Sequence, residues 1–314
     1  FAFAQAFDEA LEHVGRLVEF SEFDTARYIF VHEPQSALRK VAYLSLPSPI
    51  RGEEFEIEFA GARSESYRES SRKPAVMSAT LEEDLSRRDF TVNAMAQKVG
   101  AGGKLGKIID PFGGQKDLKD GILRTPLDPN ITFFDDPLRM LRAARFAAQL
   151  QFAIEPTTIK AMHDNTARLK IVSTERIQDE FMKLLAASKP SVGLWLLHGT
   201  RLLDQFLPEV AELEGVEEVF GYKHKDNLSH TFAVVDNIAE HAPKPILRYA
   251  GLLHDIAKPR TKRFVRGRGW TFDMHEHLGK KMAREINQRL RLSVDDSKFV
   301  CKLIRWHLQP IALM

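Results

Sequence analysis

The stretch DDPLRMLRAARF, residues 135–146, marks the point where the pattern of the sequence changes. With about 100° of rotation per residue, it predicts a helix that has leucine and alanine on one side and a band of arginines on the other. Proline in the first turn, Pro137, predicts a sharp start. The arginines of the band are Arg139, Arg142 and Arg145. The pattern is typical of a surface helix with spaced arginines, or of a helix that binds an anionic ligand with its guanidinium face.

Residues before this helix have an α+β pattern. Short apolar strands, such as 55–60 and 108–109, alternate there with turn signals. Residues after it read almost entirely as amphipathic helices. The predicted helices are 136–150, 156–167, 174–187, 191–204, 229–240, 246–257, 275–290 and 295–308. We therefore expect an α+β domain at 1–125, an all-α region at 126–225 and a second helical domain at 226–314, the last incomplete at its carboxyl end.

The composition is that of a globular protein without a membrane span or a disulfide. The 314 residues are 44% hydrophobic and 28% charged, and no apolar run reaches the roughly 18–20 residues that a membrane helix needs. The single cysteine, Cys301, excludes an internal disulfide and favours a reducing compartment, so we predict a cytoplasmic protein. The net charge is only +2, but basic residues concentrate at 63–73 and 260–268, either as solvated loops or as phosphate contacts.

An acid and a guanidinium at the start of the arginine helix suit the recognition of two nucleotide bases. A carboxylate accepts a hydrogen bond from the amino group of cytosine or adenine, and a neighbouring guanidinium donates to the ring nitrogen beside it. Uracil and guanine have a carbonyl oxygen at the amino position, which the carboxylate repels. Asp136 with Arg139 would thus admit C and A and reject U and G, which leaves Arg142 and Arg145 for phosphate.

Four segments of the chain resemble the successive motifs of one known family. They are TLEEDLSRRDFTVNAMA (80–96), IIDPFGGQKDLKDGILRTP (108–126), DDPLRMLRAARFAAQLQF (135–152) and STERIQDEFMKLL (173–185). In order and spacing they are similar to those of the bacterial class II tRNA nucleotidyltransferases, the CCA-adding enzymes and their poly(A) polymerase relatives. The resemblance covers roughly residues 55–190. It implies a polymerase-β-like nucleotidyltransferase head followed by an all-α neck and body.

The resemblance also implies roles for individual residues. In the family, the arginine and aspartate of the RRDF motif contact the incoming nucleotide and order its ribose region, and they correspond to Arg88 and Asp89. Asp136 and Arg139 match the pair that acts as a protein template for C and A. The matches on the triphosphate side are Arg142 and Arg145. From the residues alone, a buried arginine–aspartate pair at a strand end explains the RRDF motif equally well.

A second group of candidate residues follows the predicted neck. His254 and Asp255 are adjacent in RYAGLLHDIAKP, with His230 before them and His275 after them. Imidazole and carboxylate together provide mixed nitrogen and oxygen ligands for a divalent ion. The set resembles an HD-type phosphohydrolase domain, which implies a second divalent metal there. The alternative is that these histidines are ordinary polar surface residues that bind no metal. Further candidate ligands are His277, His307, Asp295 and Asp296.

The family's first motif is missing in recognisable form. In the family, a glycine turn precedes a strand with two aspartates separated by one residue, which hold the two magnesium ions of the reaction. The matching region, EHVGRLVEFSEFDTARYIF (12–30), has one aspartate, Asp24, and Glu58 lies on the strand where the family has a further acid. Three explanations are open: the residues of this motif are absent from the sequence, the motif has diverged and Asp24 and a glutamate still bind metal, or the transferase is inactive. We favour the explanation that the residues of the motif are absent from the sequence.

The implied reaction is attack of the tRNA 3′-hydroxyl on the α-phosphate of CTP or ATP, with Mg²⁺ as cofactor and release of pyrophosphate. Recognition of the tRNA backbone and shape would make binding salt-sensitive. Within the family, the competing hypotheses are a poly(A) polymerase and an enzyme that adds only CC or only A. Outside it, the competing hypothesis is a metal-dependent HD phosphohydrolase or an RNA-binding protein with an inactive transferase head. The oligomeric state is open.

Overall fold

The computed structural model describes two compact units, one up to Asp136 and one from Pro137 onward. The described residues are 16–19, 28–31, 42–47, 54–60, 63–68, 71–99, 105–215, 218–219, 221–223 and 226–309. Within these ranges, no helix is both long enough and apolar enough to cross a membrane.

The first unit contains nine short strands among its described residues. They are β1 (Arg16–Glu19), β2 (Tyr28–Val31), β3 (Ala42–Pro47), β4 (Glu54–Ala60), β5 (Arg63–Arg68), β6 (Ser71–Ser78), β7 (Ala96–Val99), β8 (Leu105–Ile109) and β9 (Ile122–Leu123). Six of them form a sheet in the order β3-β4-β2-β1-β7-β8, in which β2 and β4 run parallel and every other neighbouring pair is antiparallel. β5 and β6 form a separate antiparallel hairpin. The α+β class predicted for this part of the chain is confirmed, and β4 and β8 contain the strands predicted at 55–60 and 108–109.

Short helices complete the first unit. They are α1 (Leu81–Ser86), a 3₁₀ helix (Thr91–Asn93), α2 (Gly114–Asp120) and α3 (Pro129–Asp135). A capping box starts α1: the Thr80 hydroxyl accepts from the Glu83 amide, and the Glu83 carboxylate accepts from the Thr80 amide at 2.7 Å. Because this exchange satisfies amides that the first turn leaves unpaired, it fixes where α1 begins. The RRDF segment follows directly from the end of α1.

The second unit is helical, as the sequence predicts. Its helices are α4 (Leu138–Leu150), α5 (Pro156–Asp164), α6 (Thr174–Leu185), α7 (Pro190–Gly199), α8 (Leu203–Phe206), α9 (Pro208–Ala211), α10 (Asn227–His241), α11 (Pro245–Leu253), α12 (Lys258–Thr261), α13 (His275–Arg289) and α14 (Val294–Trp306). Its short strands are β10 (Ala153–Ile154), β11 (Glu218–Val219), β12 (Tyr222–Lys223), β13 (Arg263–Val265) and β14 (Gly269–Thr271). The helix predicted at 191–204 is two helices, because the backbone turns at Arg201 with a φ of 63°.

The arginine helix, α4, lies in the core of the second unit and packs against α6 and α7. Seven of its thirteen residues are buried. At Gly193 of α7 the two backbones approach closely, since a Cβ there would lie 2.7 Å from the Ala144 carbonyl oxygen. This packing fixes the rotation of α4 about its axis, and with it the side on which its arginines lie.

One buried arginine joins the helices near α4 to those that follow. The Arg248 guanidinium, on α11, donates to the carbonyl oxygens of Leu185 (2.5 Å), the last residue of α6, and of Ala187 (2.9 Å). It also donates to the carbonyl oxygen of Ala242 (3.2 Å), directly after α10. These carbonyls stand at helix ends, where the helix itself supplies no donor. The histidine-bearing helices are therefore part of the same compact unit as α4.

Candidate functional site

The two arginines of the RRDF segment share one buried carboxylate. Asp84, in the middle of α1, is fully buried. Its Oδ1 accepts from Arg87 Nη2 at 2.6 Å and from Arg87 Nε at 3.0 Å, and its Oδ2 accepts from Arg88 Nη2 at 3.0 Å. Because a buried carboxylate is stable only when it is paired, Asp84 fixes the guanidinium groups of both arginines. Sequence reasoning did not single out Asp84.

The aspartate of the same segment orders the backbone. Asp89 is buried, and its Oδ1 accepts from the Phe90 amide at 2.9 Å and from Asn93 Nδ2 at 3.1 Å. The adjacent Phe90 side chain is also fully buried. Asp84 thus holds the Arg88 guanidinium, and Asp89 holds the Phe90 amide and the Asn93 side chain.

The DPFGG segment is packed tightly against the RRDF segment. Gly114 approaches the Thr91 carbonyl oxygen so closely that a Cβ would lie 2.2 Å from it. The Thr91 hydroxyl donates to Asp117 Oδ2 at 2.7 Å, and Arg124 Nε donates to the same oxygen at 3.1 Å. The preceding Gly113 has a φ of 77°, which only glycine adopts without strain. Two motifs that are far apart in the sequence therefore form one local structure.

The guanidinium face of α4 meets a buried acid from α6. Arg145 Nε donates to Glu180 Oε2 at 2.7 Å, and Arg142 Nη1 lies 3.8 Å from Glu180 Oε1. The Arg145 guanidinium also lies 4.0 Å from the centre of the Phe146 ring. A buried carboxylate therefore holds one edge of the Arg145 guanidinium, and the assignment of Arg145 to phosphate stays a prediction. Glu180 is a residue that sequence reasoning missed.

The predicted template residues lie at the start of α4. Asp136 directly follows α3, and Arg139 is the second residue of α4; both are half-buried. Arg142 is half-buried as well and is 32% exposed in its side chain, against 11% for Arg145. Exposure on α4 therefore falls from Arg142 to Arg145, the residue that Glu180 holds.

We predict that Glu180→Gln weakens the second unit. The neutral amide keeps the size of the side chain but removes the charge that Arg145 needs, so we expect the free energy of unfolding to fall by about 2 kcal/mol. Urea unfolding followed by far-UV circular dichroism measures this. Asp179→Asn is the matched control, because Asp179 precedes Glu180 on α6 and pairs with Lys183 in solvent; its effect should stay within about 0.5 kcal/mol. Equal effects would contradict the role assigned to Glu180.

Four histidines surround a buried aspartate in the second unit. Asp255 Oδ2 lies 3.0 Å from His254 Nε2 and 4.0 Å from His230 Nε2. Its Oδ1 lies 3.3 Å from His275 Nε2 and 3.8 Å from His307 Nε2. We call these five residues the histidine–aspartate cluster. Within it, His230, His254 and Asp255 form one set of ligand atoms within 4.8 Å of one another, and Asp255, His275 and His307 form a second.

The opposite ring nitrogens of three of these histidines are held by backbone carbonyls. The Nδ1 atoms of His254, His275 and His307 lie 2.6–2.7 Å from the carbonyl oxygens of Gly251, Phe272 and Ile304, each three residues earlier. A carbonyl only accepts, so Nδ1 carries the proton and Nε2 presents its lone pair in the neutral ring. All three Nε2 atoms face Asp255. This is the arrangement that metal-ligating histidines adopt.

Asp255 is ionised in this setting. Burial alone would raise the pKa of its carboxyl group, but the rings of His254 and His275, which donate through Nε2 only when they are protonated, and the Lys258 ammonium outweigh burial and hold the pKa well below its ordinary value. The ammonium group of Lys258 lies 2.6 Å from Oδ2. The cluster therefore brings a carboxylate and several imidazole Nε2 atoms together, and these are the atom types that bind a divalent metal ion.

The structure brings together all four residues that the sequence predicted for this cluster, and His307 joins them. Among the residues that the structure describes, His277, Asp295 and Asp296 belong to neither set of ligand atoms. Asp295 is 96% exposed in its side chain, and Asp296 accepts from Ser293 at the start of α14. Of the further candidate ligands, only His307 is therefore part of the cluster.

The candidate residues of the first carboxylate motif are not brought together by any described contact. Asp24 lies outside the described residues. Glu58 lies in β4, opposite Tyr43 of β3. Both therefore stay predictions from the sequence.

Three family models match successive parts of the chain. The Poly A polymerase head domain matches residues 21–124, the probable RNA and SrmB-binding site of polymerase A matches 151–213, and the HD domain matches 227–313. The chain is also 38% identical over 239 residues to the A-adding tRNA nucleotidyltransferase of Deinococcus radiodurans, and 39% identical over 232 residues to the multifunctional CCA protein of Neisseria meningitidis. Each alignment covers 73% of this chain but only 52% and 53% of those proteins, so the chain spans about half their length.

Solved structures share the fold. A structure described as a tRNA-processing enzyme in an apo form matches with a TM-score of 0.61 and 21% identity, covering 96% of this chain and 81% of that one. A CCA-adding enzyme in complex with ATP matches with a TM-score of 0.61 and 22% identity, covering 98% and 68%. The CCA-adding enzyme of Thermotoga maritima, complexed with tRNA, matches at 0.56 and 22%, covering 99% and 60%.

Proposed function

The chain belongs to the family of tRNA nucleotidyltransferases and poly(A) polymerases, and we propose that it adds CMP and AMP to the 3′ end of tRNA. The tRNA 3′-hydroxyl attacks the α-phosphate of CTP or ATP, and pyrophosphate leaves. The observation that carries this proposal is the guanidinium face of α4, whose rotation is fixed by packing and whose last arginine is bound by Glu180.

In this proposal, the start of α4 selects the base. The Asp136 carboxylate accepts from the exocyclic amino group that C and A share, and the Arg139 guanidinium donates to the neighbouring ring nitrogen. Arg142 binds the triphosphate. Arg145 acts as a positioning residue: bound to Glu180, it holds α4 in place and adds positive charge behind the phosphates.

Arg88 and Asp89 serve the sugar and phosphate side of the nucleotide. Asp84 holds the Arg88 guanidinium in one orientation, so little side-chain entropy is lost when it binds a nucleotide. Asp89 accepts hydrogen bonds from the backbone amide of Phe90 and from the side-chain amide of Asn93. These bonds stabilise the conformation of the RRDF segment.

Magnesium is the cofactor that this reaction needs, and we propose Asp24 and Glu58 as its remaining acidic ligands in this chain. When bound, the ion polarises the reacting oxygens and neutralises developing charge. Two catalytic magnesium ions need two carboxylates close together, and one aspartate alone scarcely holds both ions in the correct geometry. The described residues of this chain select and position the nucleotide.

The assay of product length tests the proposed function. The full-length gene product is given a tRNA that ends at the discriminator base, with CTP alone, ATP alone, or both. Addition of CC with CTP and of CCA with both nucleotides supports CCA addition. A product with one A, a product that stops at CC, or a long poly(A) tail identifies the corresponding relative within the family, and no extension contradicts transferase activity.

We further propose a head at 1–125, a neck and body at 126–225 and an HD-like domain at 226–314. The histidine–aspartate cluster favours a second function in the last of these: binding of a divalent transition metal, which would serve a phosphohydrolase reaction. When bound, the ion lowers the pKa of water and polarises a phosphoryl oxygen. The tRNA substrate and the single cysteine fit the cytoplasmic location expected from the sequence.

A further inference from the structure

The hairpin formed by β13 and β14 exposes an unusual density of arginine. We use the name arginine hairpin for residues 260–268, whose arginines are Arg260, in the preceding α12, and Arg263, Arg266 and Arg268, in the hairpin itself. All four side chains are exposed. Within the described part of the chain, none of their guanidinium groups has an ion pair or a side-chain hydrogen bond. Arg260 also interacts electrostatically with the Glu209 carboxylate. The three arginines of the hairpin itself lie close together in the sequence and repel one another, so the surface is suited to an anionic ligand.

The hairpin presents these arginines on a defined backbone. Phe264 pairs with Trp270 across the strands, and their rings meet edge to face at 5.5 Å between centroids. The ammonium group of Lys262 lies 5.1 Å from the centre of the Trp270 ring. At the tip, the Arg268 amide donates to the Val265 carbonyl at 3.0 Å, and Gly267 has a φ of 83°. Two arginines therefore flank a tight glycine turn, above a packed aromatic pair.

Both ends of the hairpin are fixed at the histidine–aspartate cluster. Before it, Lys258 binds Asp255 at 2.6 Å. After it, the Phe272 carbonyl oxygen lies 2.7 Å from Nδ1 of His275. The Lys258 ammonium also lies 5.5 Å from the centre of the Phe272 ring, which brings the two ends together. The arginine hairpin is thus a short excursion of the chain that leaves the cluster and returns to it.

We propose that the arginine hairpin binds the phosphates of an RNA strand whose end is presented to the histidine–aspartate cluster. This inference rests on the proposed function, because it takes RNA as the substrate of the HD-like domain. A guanidinium binds a phosphate through two parallel hydrogen bonds, and a series of exposed guanidiniums suits a chain with one negative charge per nucleotide. The cluster beside it offers the ligands of a divalent ion that acts on phosphoryl groups. The arginine hairpin and the histidine–aspartate cluster therefore both suit a ligand that carries phosphate groups.

The test compares salt dependence of RNA binding in two double variants. Arg266→Gln with Arg268→Gln removes the two tip charges without changing side-chain length much. For the full-length protein and a tRNA, we expect Kd at about 0.15 M salt to rise about tenfold, and the slope of log Kd against log salt concentration to fall by about 1.5, the value for two lost phosphate contacts. Thermal unfolding of the variant should match the wild type, since both side chains are in solvent.

The matched control is Arg201→Gln with Arg291→Gln. Both arginines are exposed and belong to the same unit, but each already lies beside a carboxylate: Asp204 at 2.7 Å and Glu175 at 3.8 Å. This double variant loses the same net charge and should keep the wild-type slope. Equal slopes in the two variants would overturn the inference. So would a loss of affinity for polyglutamate without a loss for tRNA, which would assign the hairpin to an acidic protein. A wild type that binds no tRNA would instead contradict the proposed function itself.

Discussion

Replacement of Arg139 by alanine is expected to lower kcat/KM for both CTP and ATP by about 10²–10³-fold, the cost of removing one positioned hydrogen-bond donor from a reacting complex. Arg139 would donate to the ring nitrogen that C and A present beside the amino group, and no alanine atom replaces that donor. Discrimination against UTP and GTP should fall at the same time. Incorporation of a single nucleotide into labelled tRNA measures both quantities.

The variant should fold, because alanine has the highest helix propensity and Arg139 lies near the beginning of α4 rather than in its buried face. Arg284→Ala is the matched control: this arginine is also helical, on α13, and is exposed. Its kinetics should match those of the wild type. Unchanged incorporation by the Arg139 variant would remove it from the nucleotide site.

Replacement of Asp255 by asparagine is expected to abolish tight metal binding in the HD-like domain. Asp255 is the residue that both ligand sets share, and four histidine Nε2 atoms face its carboxylate. The asparagine side chain is neutral, so this negative charge is lost. We expect affinity for Zn²⁺ and Mn²⁺ to fall by more than about 100-fold, since loss of groups that only orient metal ligands already costs 10–100-fold. Competition with a chromophoric chelator measures the affinity.

Asp295→Asn is the control for this experiment, because Asp295 is a further candidate ligand by sequence and lies in solvent. Its metal affinity should equal that of the wild type. Incorporation of CMP should survive in the Asp255 variant, since the residues proposed for nucleotide selection lie on other elements. Wild-type metal affinity in the Asp255 variant would show that the cluster is only a hydrogen-bonded core.

The sequence predicted the features that depend on local periodicity. The apolar spacing of α4 fixes a helix and a buried face, and the structure has that helix at Leu138–Leu150. Adjacent residues such as His254 and Asp255 were found for the same reason, because their chemistry is visible in a few neighbouring letters. What a short segment encodes by itself can be predicted from that segment.

Features that depend on contacts between distant segments were predicted less well. Glu180 meets Arg145 across 35 positions, and no feature of its own segment marks it as the buried partner. His307, just after the end of α14, contacts His275, which is 32 positions earlier in the sequence. From the sequence, it was a candidate ligand equal to His277, Asp295 and Asp296, which lie outside the cluster. One local signal does distinguish it: like His254 and His275, it places Nδ1 against a carbonyl three residues earlier. That signal needs backbone geometry, which the sequence alone does not provide.

Nucleotide preference of the wild type tests the central claim most directly. The claim is that Asp136 and Arg139 at the start of α4 select bases by an amino group beside a ring nitrogen. With a tRNA lacking its terminal CCA, the full-length protein should incorporate CMP and AMP in preference to UMP and GMP by at least about 10²-fold in kcat/KM, the discrimination expected when a mismatched base leaves both groups unpaired. Incorporation of UMP as efficient as that of CMP would contradict the account.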